Sequence, residues 1–116
     1  MRRSIFWLLD HYAETGESVA SLHATALAHA RLADQLGFDS LWIAEHHLFP
    51  LGTAPNPAVM LAAMAQVTSR LRIGPAVAVL PLRHPILVAE DYALVDSLSG
   101  GRLNMGVGTG SRPLEF

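Results

Sequence analysis

Residues 38–47 read FDSLWIAEHH. Leu41 to Ala44 is a short apolar run without strict alternation, the pattern of a strand covered on both faces, as in a parallel sheet. The strand is taken from Phe38 to Ala44 and ends at Glu45, His46 and His47, so polar side chains collect at its carboxyl end. Immediately before it, Gly37 is a helix stop. The preceding helix runs from an N-cap at Ser18 to about Leu36, with Leu22, Ala26, Ala30, Ala33 and Leu36 at helical spacing. Further back, RSIFWLLDHY (Arg3–Tyr12) reads as a first apolar strand.

The same alternation continues downstream. Leu48 to Pro55 is a Gly- and Pro-bearing loop, and Asn56-Pro57 places a cap before a proline at the first helical position, opening a helix to about Ser69. Arg72 to Leu80 is a third strand ended by Pro81. His84-Pro85 opens a third helix through Ser97, Gly100-Gly101 break it, and Arg102 to Val107 is a fourth strand leading into Gly106, Gly108 and Gly110. The order βαβαβαβ defines an α/β fold and leaves two closures open, a doubly wound sheet or part of a (β/α)8 TIM barrel. A whole barrel takes about 250 residues. Residues 1–116 are accordingly expected to form one partial barrel domain, the N-terminal part of something larger. Standing alone, such a piece would leave strand edges unpaired and would aggregate or dimerise.

Composition narrows the function. Of 116 residues 16% are charged and the formal net charge is −2, so nothing in the overall charge favours a nucleic acid or an anionic membrane surface. Neither is expected as a partner. The apolar run Ile5 to Leu9 is too short for a signal-peptide core or a membrane span, which makes the cytoplasm the default location. Without cysteine there is no disulfide, thiolate metal site or cysteine nucleophile within these residues. All eight basic residues are arginines, so these residues supply neither a Schiff-base lysine nor a Walker lysine, and an anion must be gripped by Arg or backbone N–H groups.

In either closure ligand chemistry gathers at the carboxyl ends of the strands. Asp10 and His11, then Glu45, His46 and His47, then Arg83 and His84, then Thr109, Ser111 and Arg112 stand there. Neighbouring side chains on extended backbone point to opposite sides, so one histidine of the pair faces the barrel mouth and the other the helix layer. The inward one suits proton transfer, since imidazole titrates near neutrality. A metal site would need His84 or His11 in addition, and no metal is expected. His23 and His29 read as structural, and His84 as the start of a helix. Gly106, Gly108 and Gly110 resemble a phosphate loop but lack the dinucleotide-binding spacing, and close packing explains them equally well. The small residues of GPAVA (Gly74–Ala78) either let something flat approach the backbone or pack tightly against the second helix.

Five blocks in register, FDSLWIAEHH, GTAPNP, TSRLRIGPAVAVLPLRHP, LVAEDYALVDSLSGGR and GVGTGSRPLEF, make the chain resemble the N-terminal part of the bacterial luciferase-like, flavin-dependent monooxygenases. The resemblance implies a (β/α)8 barrel holding reduced FMN at its mouth, where O2 is activated and one oxygen atom enters a small organic substrate. Some relatives use a deazaflavin and transfer hydride instead. It further implies that His46 is the catalytic residue, that Ala76-Val77 is a non-proline cis peptide bond against the flavin ring, that Gly108, Thr109 and Gly110 lie beside the cofactor, and that Glu45 supports the site from behind. A flavin reductase partner and a dimer of the full-length protein belong to the same expectation. The luciferase α subunit carries a reactive cysteine and an arginine where this chain has Gly108 and Thr109, so a monooxygenase without light emission is expected, with Arg112 as a substitute cation. A non-catalytic fragment or partner subunit is the remaining alternative.

Overall fold

The computed structural model describes residues 1–48 and 52–110. Three helices alternate with parallel strands: β1 (Ser4–Trp7), α1 (Val19–Gln35), β2 (Ser40–Ile43), α2 (Pro57–Val67), β3 (Arg72–Pro75), β4 (Ala78–Val79), α3 (Pro85–Ser99) and β5 (Val107–Gly108). Each helix begins where its cap chemistry places it. The Ser18 hydroxyl accepts the Ser21 N–H at 3.1 Å, the Asn56 side-chain carbonyl accepts the Ala58 N–H at 3.2 Å ahead of Pro57, and Nδ1 of His84 accepts the Ile86 N–H at 3.3 Å ahead of Pro85. At the end of α1 the N–H groups of Gly37 and Phe38 close on the carbonyls of Asp34 and Ala33, satisfying two terminal carbonyls.

β1, β2 and β3 pair side by side in register Ser4↔Ser40↔Arg72, and β4 pairs with β5 in register Ala78↔Val107. A single parallel bridge, Ile73↔Leu103, joins the fourth strand segment to β3. Strand neighbours therefore follow chain order throughout. In a doubly wound sheet the order reverses and helices cover both faces. Here α1 packs on α2 and α2 on α3 in one row, which is the arrangement of a (β/α)8 barrel.

Strand alternation separates the two faces. Leu41, Ile43 and Ile73 point to the helices and are fully buried with Ala30, Leu61 and Met64. Alanines on the inner face of α1 (Ala26, Ala30, Ala33) let the helix lie close to the sheet, while large side chains such as Leu61 each contribute about 1.5–3 kcal/mol by leaving water. Ser4, Phe6, Ser40 and Trp42 occupy the opposite face, toward the barrel interior.

The strands are shorter than their apolar runs. β1 stops at Trp7 because the chain turns at Leu9, which takes φ 53°, and Asp10 then pairs antiparallel with Gly52. The expected strand Arg72–Leu80 is divided at the Ala76-Val77 bond, which is cis, and Leu80–Leu82 coils into a 3-10 turn. The expected strand Arg102–Val107 is replaced by the Leu103 bridge and the later β5. Arg102 is held back by its own side chain, whose N–H groups go to the ends of α2 and α3. Asn104 passes so close to β3 that a Cβ on Gly74 would lie 1.9 Å from the Asn104 carbonyl oxygen, which only glycine tolerates.

Candidate functional site

The carboxyl ends of the strands converge on a cavity of about 210 Å³ lined by Phe6, Ala44, Glu45, His46, Ala76, Val77, Val79 and Gly110. His46 stands two residues beyond Ala44 on the interior face, so the imidazole borders the cavity. The returning loop presses on its back: a Cβ on Gly52 would approach the His46 Cβ to 2.5 Å. A threonine strap holds that loop. The Thr53 hydroxyl donates to the Leu9 carbonyl at 2.7 Å, and Nε2 of His23 meets Thr53 Oγ1 at 3.1 Å.

Glu45 borders the same cavity, but its carboxylate reaches β4 and the Tyr92 phenol of α3, and His47 bonds to it. The Glu45 side chain is wholly buried, its Oε1 accepting from His47 Nε2 at 2.8 Å and its Oε2 from the Val79 N–H at 3.1 Å. Next to this carboxylate lies the buried phenol of Tyr92, whose hydroxyl has no hydrogen-bond partner among the described residues. Desolvation first, and then the negative charge of Glu45, push the Tyr92 phenol well above its ordinary range, so it stays protonated.

Of the residues the sequence singles out, His46, Ala76, Val77 and Gly110 meet around the cavity. Gly108 packs beneath it, where an added Cβ would come within 2.7 Å of Val77 Cγ2. Thr109 is exposed, with its hydroxyl 3.4 Å from the Gly110 carbonyl. Ser111 and Arg112 lie outside the described residues. Other polar candidates are engaged elsewhere. His11 bonds the Glu17 carbonyl, His84 caps α3, and Arg83 bridges Asn56 and Asp91. His29 lies against Trp7 with ring centroids 5.9 Å apart. Among the described residues no three His, Asp or Glu side chains gather closely enough to hold a metal ion. No described helix is long and apolar enough to cross a membrane.

Sequence reasoning missed Phe6 and Tyr92. Phe6 shares its face with the inward Trp42, its register partner in β2, a relation visible only once the strands are paired. A larger opening of about 590 Å³ lies at the opposite, amino end of the strands, where Arg70 donates to the Asp34 carbonyl and Arg72 to Asn104 and the Leu103 carbonyl. It forms the barrel floor, away from the strand ends where barrel chemistry is built.

A row of parallel strands in chain order and one layer of helices, with a histidine-bordered cavity at the carboxyl ends, are the first part of a (β/α)8 barrel. The chain belongs to the luciferase-like monooxygenase family, whose family model matches residues 1–116. It is 31% identical to the oxygenase component of the flavin-dependent trigonelline monooxygenase of Acinetobacter baylyi, over 100% of this chain and 32% of that protein. The oxygenating constituent of 3,6-diketocamphane monooxygenase from Pseudomonas putida, a type II Baeyer-Villiger monooxygenase solved in complex with FMN, superposes with a TM-score of 0.88 at 28% identity, covering 98% of this chain and 31% of that one. Less similar in shape is the coenzyme F420 dependent tetrahydromethanopterin reductase from Methanopyrus kandleri, at a TM-score of 0.71 and 28% identity over 95% of this chain and 27% of that one. The chain spans a third or less of the length of the first curated relatives it matches.

Proposed function

We propose that the complete protein is a flavin-dependent monooxygenase in which reduced FMN, supplied by a partner flavin reductase, and O2 place one oxygen atom into a small organic substrate. The observation that carries this reading is the single cavity shared by the His46 imidazole and the Ala76-Val77 backbone. Its walls fit a flat ring. Ala44, Ala76 and Gly110 project little or no side chain, and Phe6 and Val79 add apolar surface.

Reduced flavin, when bound, supplies the electrons that activate oxygen. The residues of this chain bind, shield and move a proton. Ala76, Val77 and Gly110 would hold the cofactor with backbone and small side chains, with Gly108 packed against Val77 behind them, and the neighbouring Thr109 would contribute an exposed hydroxyl. Phe6, Ala44 and Val79 keep water away. The His46 imidazole takes up and returns the proton at the reacting centre, a contribution typically of about 10²–10⁴-fold.

The test is His46→Ala in the complete polypeptide, assayed with reduced FMN, O2 and a substrate panel. Turnover falls at least about 100-fold while FMN binding persists. Undiminished turnover removes His46 from the chemistry. A deazaflavin is the alternative cofactor; the higher TM-score and FMN content of the camphane relative favour FMN, and parallel titrations with both cofactors decide between them.

A further inference from the structure

The two oxygens of Glu45 reach different parts of the site. One accepts from His47, on the loop that carries His46, and the other from the backbone N–H of Val79, two residues past Val77. The carboxylate has no exposed surface, so the tie is not diluted by water. It spans 34 positions of sequence and joins the carboxyl end of β2 to β4, that is, the imidazole to the flat backbone beside it. We infer that Glu45 is a positioning residue: it borders the cavity, but both carboxylate oxygens are engaged by His47 and Val79, and through them it sets the spacing between His46 and the Ala76-Val77 backbone. The inference rests on the functional reading above in that the spacing matters for turnover only if His46 acts there.

Chemistry supports the choice of a carboxylate. Two converging N–H donors need two acceptors, and glutamate supplies both. Glutamine supplies one acceptor and one amide donor, so Glu45→Gln can keep both contacts only if His47 switches to the tautomer whose Nε2 accepts. Alanine keeps neither and leaves the Val79 N–H buried without its acceptor. A displacement of about 1 Å at a reacting centre can cost on the order of 100-fold in rate.

The experiment compares wild type, Glu45→Gln and Glu45→Ala in the complete polypeptide, with circular dichroism as the check on folding. Imidazole nitrogen and carbon NMR signals of His46 and His47 are read alongside kcat, KM and the FMN dissociation constant. Glu45→Ala is expected to shift the His46 ring signals and lower kcat about 10- to 100-fold, with a smaller change in KM and FMN affinity. Glu45→Gln is expected to show the opposite His47 tautomer and an intermediate kcat. A folded Glu45→Ala protein with wild-type His46 signals and wild-type kcat overturns the inference. If Glu45→Ala does not fold, an unchanged His47 tautomer and His46 signals in Glu45→Gln overturn it instead. The ring signals report the spacing without turnover, so an active His46→Ala protein would sink the functional reading and leave the positioning result standing or falling by itself.

Discussion

Asp34 shows how one buried side chain can organise a turn it does not belong to. From the last turn of α1 its carboxylate accepts the N–H groups of Ser69, Arg70 and Leu71 at 2.9, 2.9 and 2.6 Å and the Ser69 hydroxyl at 3.1 Å, fixing the connection from α2 into β3. Burial opposes ionisation, but those four donors outweigh it and hold the carboxyl below the usual carboxylate range. A depressed folded value means that the stabilisation is complete above the unfolded value of about 3.9 and is lost as pH falls through the folded one. Asp34→Ala should cost about 2–3 kcal/mol at neutral pH, measured by urea unfolding, and should flatten the decline in stability below pH 4. Tyr92 makes the opposite case. Its buried hydroxyl lacks an acceptor among the described residues, so Tyr92→Phe should leave the denaturation midpoint unchanged or raise stability by up to about 1 kcal/mol. At this scale the sequence shows the residue types around His46 but not their partners. Glu45 pairs with an N–H that lies 34 positions away.

Helix boundaries were the legible part of the elements, because capping is chemistry between residues two or three apart. Ser18, Asn56-Pro57 and His84-Pro85 all cap where the local pattern puts them. Strand boundaries were not, since an apolar run shows burial and not pairing. Leu8 and Leu9 continue the run of β1 without extending its ladder. The other unpredicted feature is Arg102. Its five N–H groups go to the Ser99, Leu71, Ala65 and Thr68 carbonyls and the Thr68 hydroxyl at 2.6–3.1 Å, tying off the carboxyl end of α2 and joining it to the end of α3. A lysine has three donors and no planar fork. Arg102→Lys should therefore lower stability by about 2 kcal/mol or more, read as a drop in the urea midpoint. Asn56→Ala should cost about 1 kcal/mol and release Arg83 from one of its two side-chain partners. A midpoint unchanged in both variants would mean that the helix ends are held by packing alone.

Across the whole molecule, apolar surface remains uncovered on two sides. Leu87, Leu94 and Leu98 form an open stripe along α3, Met105 and Val107 are exposed on the far side of the molecule, and Phe6 and Leu8 are exposed beside β1, the edge strand of its sheet among the described residues. In a closed barrel both edges are paired and the helix flanks are covered. The 116-residue polypeptide prepared by itself is expected to self-associate at micromolar concentration, and light scattering after size exclusion should return a mass above that of one chain. A sharp monomer peak would show that these surfaces are tolerated in water.

The amino-acid sequence alone determined the alternation of strands and helices, the caps, the placement of polar residues after each strand, and through five blocks in register the family. Each of these is written in residue type at short spacing. Only the tertiary structure decided that strands neighbour one another in chain order, that His46 borders the cavity while the Glu45 carboxylate reaches β4 and α3, and that Glu45, Asp34 and Arg102 bind groups more than 30 positions away. Those contacts depend on how the sheet brings remote backbone donors and acceptors together, and no local pattern encodes that distance.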